Sequence, residues 1–145
     1  PNPLKFKYSN EDLNLWAKVR GISISFPKVF PVNSVKAMRG CLFAKKENKL
    51  EEFANNVFKA YWSRGIDISQ EDSLLDIAII SNLDSKDFKR FIYSQKAKES
   101  LKNNTEELIK RGGFGSPTFF YNDHMFFGND RLSLFEESLR RRLLD

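Results

Sequence analysis

The sequence predicts an α/β chain that is helical for most of its length and closes in a single β-hairpin. Up to about residue 111, apolar residues recur at spacings of three and four, the period of a helix buried on one face. Beyond Gly113 the pattern changes to two short aromatic-rich runs, Thr118 to Tyr121 and Met125 to Phe127. They are joined by Asn122-Asp123-His124, the composition of a tight hairpin. Both runs are apolar on both faces, so they belong inside a sheet larger than this chain provides.

The helices follow in order. Ser9 with Asp12 three positions on reads as a capping arrangement, and Leu13, Trp16 and Val19 then share a face until Gly21 stops the first helix. Ile22 to Pro31 carries Pro27 and Pro31, which fix the backbone and remove two donors, and is read as an extended connector. Asn33 or Ser34 caps a second helix with Val35, Met38 and Leu42 on one side. Leu50, Phe53, Val57, Phe58 and Tyr61 mark a third, which closes near Gly65 and pairs with the second. Ser69 with Asp72, and Asp84 with Asp87, repeat the capping pattern ahead of two more helices. Gln95 to Arg111 is a charged, solvent-facing helix stopped by Gly112-Gly113.

After the hairpin, Asn129 or Asp130 caps a final helix whose apolar face is Leu132, Phe135 and Leu139. Arg140, Arg141 and Arg142 fall in its last turn, where positive charge opposes the negative end of the helix dipole. No internal repeat and no Pro-, Gly- or Ser-rich linker divides the chain.

Composition limits the function classes. At 145 residues with 41% hydrophobic content, including 14 Phe, the chain has material for one packed domain or part of one. The net charge of +5 is dispersed among acidic neighbours, which argues against a nucleic-acid partner. No apolar run approaches the ~20 residues needed to cross a bilayer, so no membrane role is expected. Cys41 is the only cysteine, which leaves no internal disulfide and no C-x-x-C pair, and fits a reducing cytoplasmic setting. On a helix among apolar residues, Cys41 reads as a small hydrophobe. His124 lies in the hairpin turn with no second ligand residue nearby, so no metal site is predicted.

A two-stranded hairpin is marginal alone, and the only other strand candidate, Ile22 to Phe26, is short and close to prolines. Strands preceding Pro1, which is neither an initiator Met nor part of a signal-peptide pattern, are therefore expected to complete the sheet.

Two features of the last third carry chemistry. Ser116-Pro117, directly before a strand and after a glycine-rich approach, is where a cis bond can be accommodated, although trans is the ordinary state. A cis bond would turn the Ser116 backbone outward and leave its N–H and C=O open to an extended peptide. Eleven residues on, Gly128-Asn129-Asp130-Arg131 opens a helix, where free N–H groups attract a carboxylate or phosphate and Asp130 offers a partner for an amino group. Plain turn and capping chemistry explains each feature by itself. Together they suit a ligand with a peptide backbone at one end and a free amino-acid group at the other, the shape of glutathione.

In combination these segments resemble the 2-hydroxychromene-2-carboxylate isomerases, which group with kappa-class glutathione transferases and DsbA proteins. The resemblance is carried by Asp12-Leu13 with Trp16-Ala17, Phe26-Pro27, Tyr61-Trp62, Phe114-Gly115-Ser116-Pro117-Thr118 and Phe127-Gly128-Asn129-Asp130-Arg131-Leu132. It implies a thioredoxin-like fold with an inserted all-helical domain, residues 1–113 being mainly that insert with connectors and residues 114–145 the C-terminal half of the thioredoxin-like domain. The N-terminal βαβ half, with the Ser or Cys that faces the glutathione sulfur, would be absent, so no catalytic residue can be named.

The resemblance further implies glutathione as cofactor. Ser116 would contact it through its backbone beside a cis Pro117, and Asn129 and Asp130 would hold its γ-glutamyl end. It implies a homodimer and a glutathione-dependent isomerisation of an aromatic substrate through transient thiolate addition. A DsbA-like thiol-disulfide oxidoreductase, a kappa-class transferase and a non-catalytic binding module are the alternatives. Lys5 and Tyr8 match positions near the family's cleft, but a solvated lysine beside an apolar tyrosine explains them, as capping explains Asn33.

Overall fold

The computed structural model describes residues 2–144. The expectation about strands before Pro1 therefore falls outside the described residues. Seven α-helices and one hairpin follow in chain order: α1 Pro3–Arg20, α2 Val35–Lys46, α3 Leu50–Phe58, α4 Glu71–Ile80, α5 Ser85–Tyr93, α6 Gln95–Lys110, β1 Thr118–Tyr121, β2 His124–Phe127 and α7 Leu132–Arg140. By contact density the chain forms two compact units, residues 1–101 and 102–145. No helix is long and apolar enough to cross a membrane among the described residues.

In the first unit, α2, α3, α4 and α5 pack around one core, with Phe53, Leu74, Phe88 and Ile92 fully buried. The face α2 gives to that core is Ala37, Gly40, Phe43 and Ala44, whereas Val35 and Met38, expected inside, are exposed. Small residues win because they let the Phe53 and Phe88 rings approach the helix closely: a Cβ on Gly40 would lie 2.8 Å from both. Ser81, buried near the end of α4, is satisfied by donating to the Ile77 carbonyl at 2.8 Å and accepting from Asn56 Nδ2 at 2.9 Å.

In the first unit, helix starts depart from the capping pattern in two places. α1 begins at Pro3 because Asn2 Oδ1 accepts from the Leu4 and Lys5 N–H groups and Pro3 occupies a position whose N–H is not needed. Ser9 is then mid-helix and donates back to the Lys5 carbonyl. Ser69 does not cap α4, whose start has no side-chain cap; it instead donates its N–H and hydroxyl to Asp67 Oδ1 at 2.9 and 2.7 Å in the turn before the helix. Asp84 caps α5 as predicted, accepting from the Asp87 N–H at 2.8 Å, and Asn33 accepts from Val35 N–H at 3.1 Å before α2. Gly21, at φ 64°, ends α1.

A five-residue π-helical segment, Lys59–Ser63, extends α3. Its widened turn is gripped by the connector at three points: Ser25 N–H donates to the Trp62 carbonyl at 2.6 Å, Ser63 Oγ to the Ser23 carbonyl at 2.7 Å, and Tyr61 Oη to the Val29 carbonyl at 2.9 Å. The connector forms no helix or strand, in keeping with its reading as a connecting segment, and its Phe30-Pro31 bond is cis.

The second unit contains the hairpin. β1 and β2 are antiparallel, with Thr118 opposite Phe127, Phe119 opposite Phe126, Phe120 opposite Met125 and Tyr121 opposite His124. The turn is Asn122-Asp123, with Asn122 at φ 50°, so His124 belongs to the second strand. On one face Phe126 packs on Phe135 of α7, ring centroids 4.9 Å apart. On the other, the Arg111 guanidinium stands 4.0 Å over the Phe120 ring and donates to the Asn122 carbonyl at 3.0 Å. Met125 and Phe127 stay more than a third exposed. Both faces are thus apolar, as expected, and within this unit only partly covered.

Candidate functional site

Phe114-Gly115-Ser116 approaches β1 across the Phe127 side chain. The Phe114 and Phe127 rings lie 4.6 Å apart, and a Cβ on Gly115 would come within 2.8 Å of the Phe127 ring. Thr118 Oγ1 donates to the Gly115 carbonyl at 2.6 Å and closes the turn. Within it the Ser116-Pro117 bond is cis, and Ser116 and Pro117 are exposed. Neither the N–H nor the C=O of Ser116 has a hydrogen-bond partner among the described residues.

The second part of the site is brought alongside by one bond. Gly128 N–H donates to the Pro117 carbonyl at 2.9 Å, extending the ladder one step past Thr118–Phe127 and setting Gly128-Asn129-Asp130 against the Ser116-Pro117 turn. The four predicted site residues Ser116, Pro117, Asn129 and Asp130, separated by up to 14 positions, therefore share one edge of the hairpin.

Gly128, at φ 108°, has no side chain to obstruct the Asp130 carboxylate, whose Oδ1 lies 2.5 Å from where a Cβ would stand. The expected side-chain cap at Asn129 or Asp130 is not formed. These residues instead begin a short 3₁₀ turn, Asn129–Arg131, closed by Arg131 N–H on the Gly128 carbonyl at 3.2 Å, and α7 starts only at Leu132. The N–H groups of Asn129 and Asp130 are left without partners among the described residues. Asp130 lies 3.5 Å from the Arg131 guanidinium, with both side chains more than half exposed. The edge thus offers an outward peptide N–H and C=O, two further N–H groups and a carboxylate.

Other side chains singled out in the sequence lie elsewhere. Lys5 and Tyr8 are exposed on α1, and His124 is exposed on β2. Cys41 is half-buried on α2, and burial pushes its thiol up from the ordinary cysteine range, the reverse of what a nucleophile needs. Arg140 and Arg141 both pair with Glu137, and these bonds, Arg140 first, hold its carboxyl below the usual range. No group of three or more His, Cys, Asp and Glu residues suited to a metal occurs among the described residues. Arg111 is the contributor that sequence reasoning missed. Its stacking on Phe120 pairs the end of one helix with a strand, and the only signal was a cation seven residues before the aromatic run.

A Ser-Pro turn, an antiparallel hairpin and a helix in that order agree with the C-terminal half of a thioredoxin-like domain that the resemblance implies. The chain belongs to the DSBA-like thioredoxin domain family, whose model matches residues 2–140. Among relatives, it is 33% identical over 138 residues to a 2-hydroxychromene-2-carboxylate isomerase from Pseudomonas putida, covering 95% of this chain and 67% of that protein. It is 32% identical over 146 residues to glutathione S-transferase kappa 1 from Homo sapiens, covering 91% and 65%. A solved 2-hydroxychromene-2-carboxylate isomerase structure superposes with a TM-score of 0.84 at 33% identity, covering 97% of this chain and 68% of that one. The resemblance read from the sequence therefore stands, and the chain spans about two thirds of the length of the relatives it matches.

Proposed function

We propose that the chain belongs to a glutathione-dependent isomerase acting on an aromatic substrate of the 2-hydroxychromene-2-carboxylate type, with Ser116, Pro117, Asn129 and Asp130 forming its glutathione site. The observation that carries this reading is the Gly128–Pro117 hydrogen bond, which brings two sets of unpaired backbone groups to one edge beside a carboxylate. The groups present fit the tripeptide. The Ser116 N–H and C=O match a peptide unit in the manner of an added strand. The Asn129 and Asp130 N–H groups suit a carboxylate, and Asp130 suits an ammonium. Bound glutathione would supply the thiolate that adds to the conjugated substrate and leaves after bond rotation. The protein's part on this edge is to hold the peptide extended.

In the same reading residues 1–113 are mainly the helical insert, residues 114–145 the C-terminal half of the thioredoxin-like domain, and further strands complete the sheet that the two-faced hairpin requires. A reducing cytoplasm accords with the single, unactivated cysteine, and a homodimer is what the family resemblance suggests. Calorimetric titration with glutathione tests the site. Asp130→Ala is expected to weaken binding ~10-fold or more, the worth of a charge-assisted hydrogen bond. Unchanged affinity would remove Asp130 from the site.

A further inference from the structure

A cleft of about 320 Å³ lies within the first unit, lined by residues of α2, α5 and the start of α6. Three cations from three different helices line it: Lys46, Arg90 and Lys96. Asp87 is the single carboxylate in its lining among the described residues. Its apolar part is Phe43 and Phe91, whose ring centroids are 5.4 Å apart. The existing pairings hold these cations weakly. Arg90 meets Asp87 at 2.6 Å and Lys46 meets Glu47 at 3.3 Å, both pairs exposed and local in sequence. Lys96 has no ion pair or hydrogen bond from its side chain among the described residues. Glu99, one turn further along α6, is taken by Gln95 Nε2 at 2.8 Å.

The placement of Lys96 runs against its own helix. Ser94, also in the lining, precedes α6: its Oγ accepts from the Ala97 N–H at 3.1 Å and donates to the Phe91 carbonyl at 2.7 Å. The first turn of α6 contains no acid, so Lys96 and Lys98 add positive charge to the positive end of a 16-residue helix dipole. By contrast α3, α4 and α5 each carry an acid there. An anion held by Lys96, Arg90 and Lys46 offsets this repulsion. With three cations against one carboxylate, the lining keeps two positive charges in excess, which a dianion matches and a monoanion does not.

We propose that this cleft binds a phosphoryl dianion, its oxygens paired with Lys46, Arg90 and Lys96. A phosphoryl group carries close to two negative charges and three strong acceptor oxygens at neutral pH. The cleft is in the size range of small-molecule sites, which leaves Phe43 and Phe91 to receive an organic part of the ligand. The proposal goes beyond the glutathione reading and does not depend on it, because every lining residue lies within residues 43–96.

Calorimetric titration of the protein at pH 8, without glutathione, compares phenyl phosphate, a dianion there, with benzenesulfonate, a monoanion of similar shape. Phenyl phosphate is expected to bind about tenfold tighter, the worth of one more charge-assisted contact. Inorganic phosphate separates the sources of the group: weaker binding than phenyl phosphate assigns the site to an ester, equal binding to the free ion, and either keeps the phosphoryl dianion as ligand. Lys96→Glu should abolish phenyl phosphate binding while leaving the thermal midpoint unchanged or higher, since an acid suits that turn. A merely structural lysine would move the midpoint and not the affinity. Arg90→Gln should weaken binding about tenfold, and Lys18→Gln, on α1, should alter nothing. Equal affinity for phenyl phosphate and benzenesulfonate, binding that survives Lys96→Glu, or no saturable binding at millimolar probe overturns the proposal. Asp130→Ala is expected to leave phenyl phosphate affinity unchanged, which separates failure here from failure of the glutathione site. A loss in that variant would put the anion at the Asn129 and Asp130 N–H groups and overturn the proposal as well.

Discussion

Gly40 shows how one atom sets the spacing of the helical core. A Cβ there would meet the ring tips of Phe53 and Phe88 at 2.8 Å, and both rings are fully buried with no free direction to move. Gly40→Ala gains up to ~1 kcal/mol in helix propensity, but overpacking costs about 1–3 kcal/mol. The variant should therefore lose about 1–2 kcal/mol net, read as a lower urea midpoint with an unchanged m-value. A stabilised variant would mean that the rings can yield. The same position explains a misreading of α2. Large apolar residues at three–four spacing, Val35 and Met38, point outward because the close approach is made by Ala37, Gly40 and Ala44, which carry little hydrophobic signal. At the candidate site the reverse holds. Ser116, Pro117, Asn129 and Asp130 were legible as a set because their order and spacing follow a family pattern, while the Gly128–Pro117 bond that joins them is visible only in three dimensions.

At the scale of elements, α4 and α5 are tied by one carboxylate. Glu71, in the first turn of α4, pairs with Lys89 at 2.6 Å and accepts from Tyr93 Oη, both on α5. Lys89 first and Tyr93 second hold the Glu71 carboxyl below its ordinary value of 4.5, and Glu71 in turn raises Lys89 above 10.5. A carboxyl whose folded pKa is depressed contributes stability above its unfolded pKa and loses it as pH falls through the folded one. The lysine's share is present below its unfolded pKa and is lost as pH rises through the raised value. Glu71→Gln should therefore flatten the stability profile on the acid side of pH 4.5 and on the alkaline side of 10.5, with its largest deficit between them. Chemical denaturation across pH measures this, and parallel wild-type and variant profiles would show that the tie contributes nothing. Element ends were legible where the cap is adjacent, as at Asp84 and Gly21. They were misread where a stronger cap lay just upstream, as with Asn2-Pro3 ahead of Ser9. The π-turn was hidden because Phe53, Val57 and Tyr61, four apart, satisfy an ordinary helix equally well.

At the scale of the molecule, burial is unevenly divided. The core formed by α2 to α5 lies entirely between residues 37 and 92. In the second unit Ser138 and Leu144 are the only residues classed as buried among the described ones, and the hairpin strands remain half-covered. A chain of fewer than ~40 residues seldom holds a core without a staple, and a lone two-stranded hairpin is marginal in water. A fragment of residues 1–113, which keeps α1 to α6 whole, is accordingly expected to show the helical far-UV spectrum and one cooperative thermal transition. Residues 114–145 alone should melt without a transition. The sequence places its division at Gly113, where the hydrophobic period switches, whereas contact density divides the chain between residues 101 and 102, within α6, because the last turns of that helix carry little hydrophobic signal. If the 1–113 fragment melts gradually, the helical core depends on the hairpin. The proposed division at residue 113 would then describe two layers of one folding unit, and substitutions at Gly40 and Phe126 should lower the same transition.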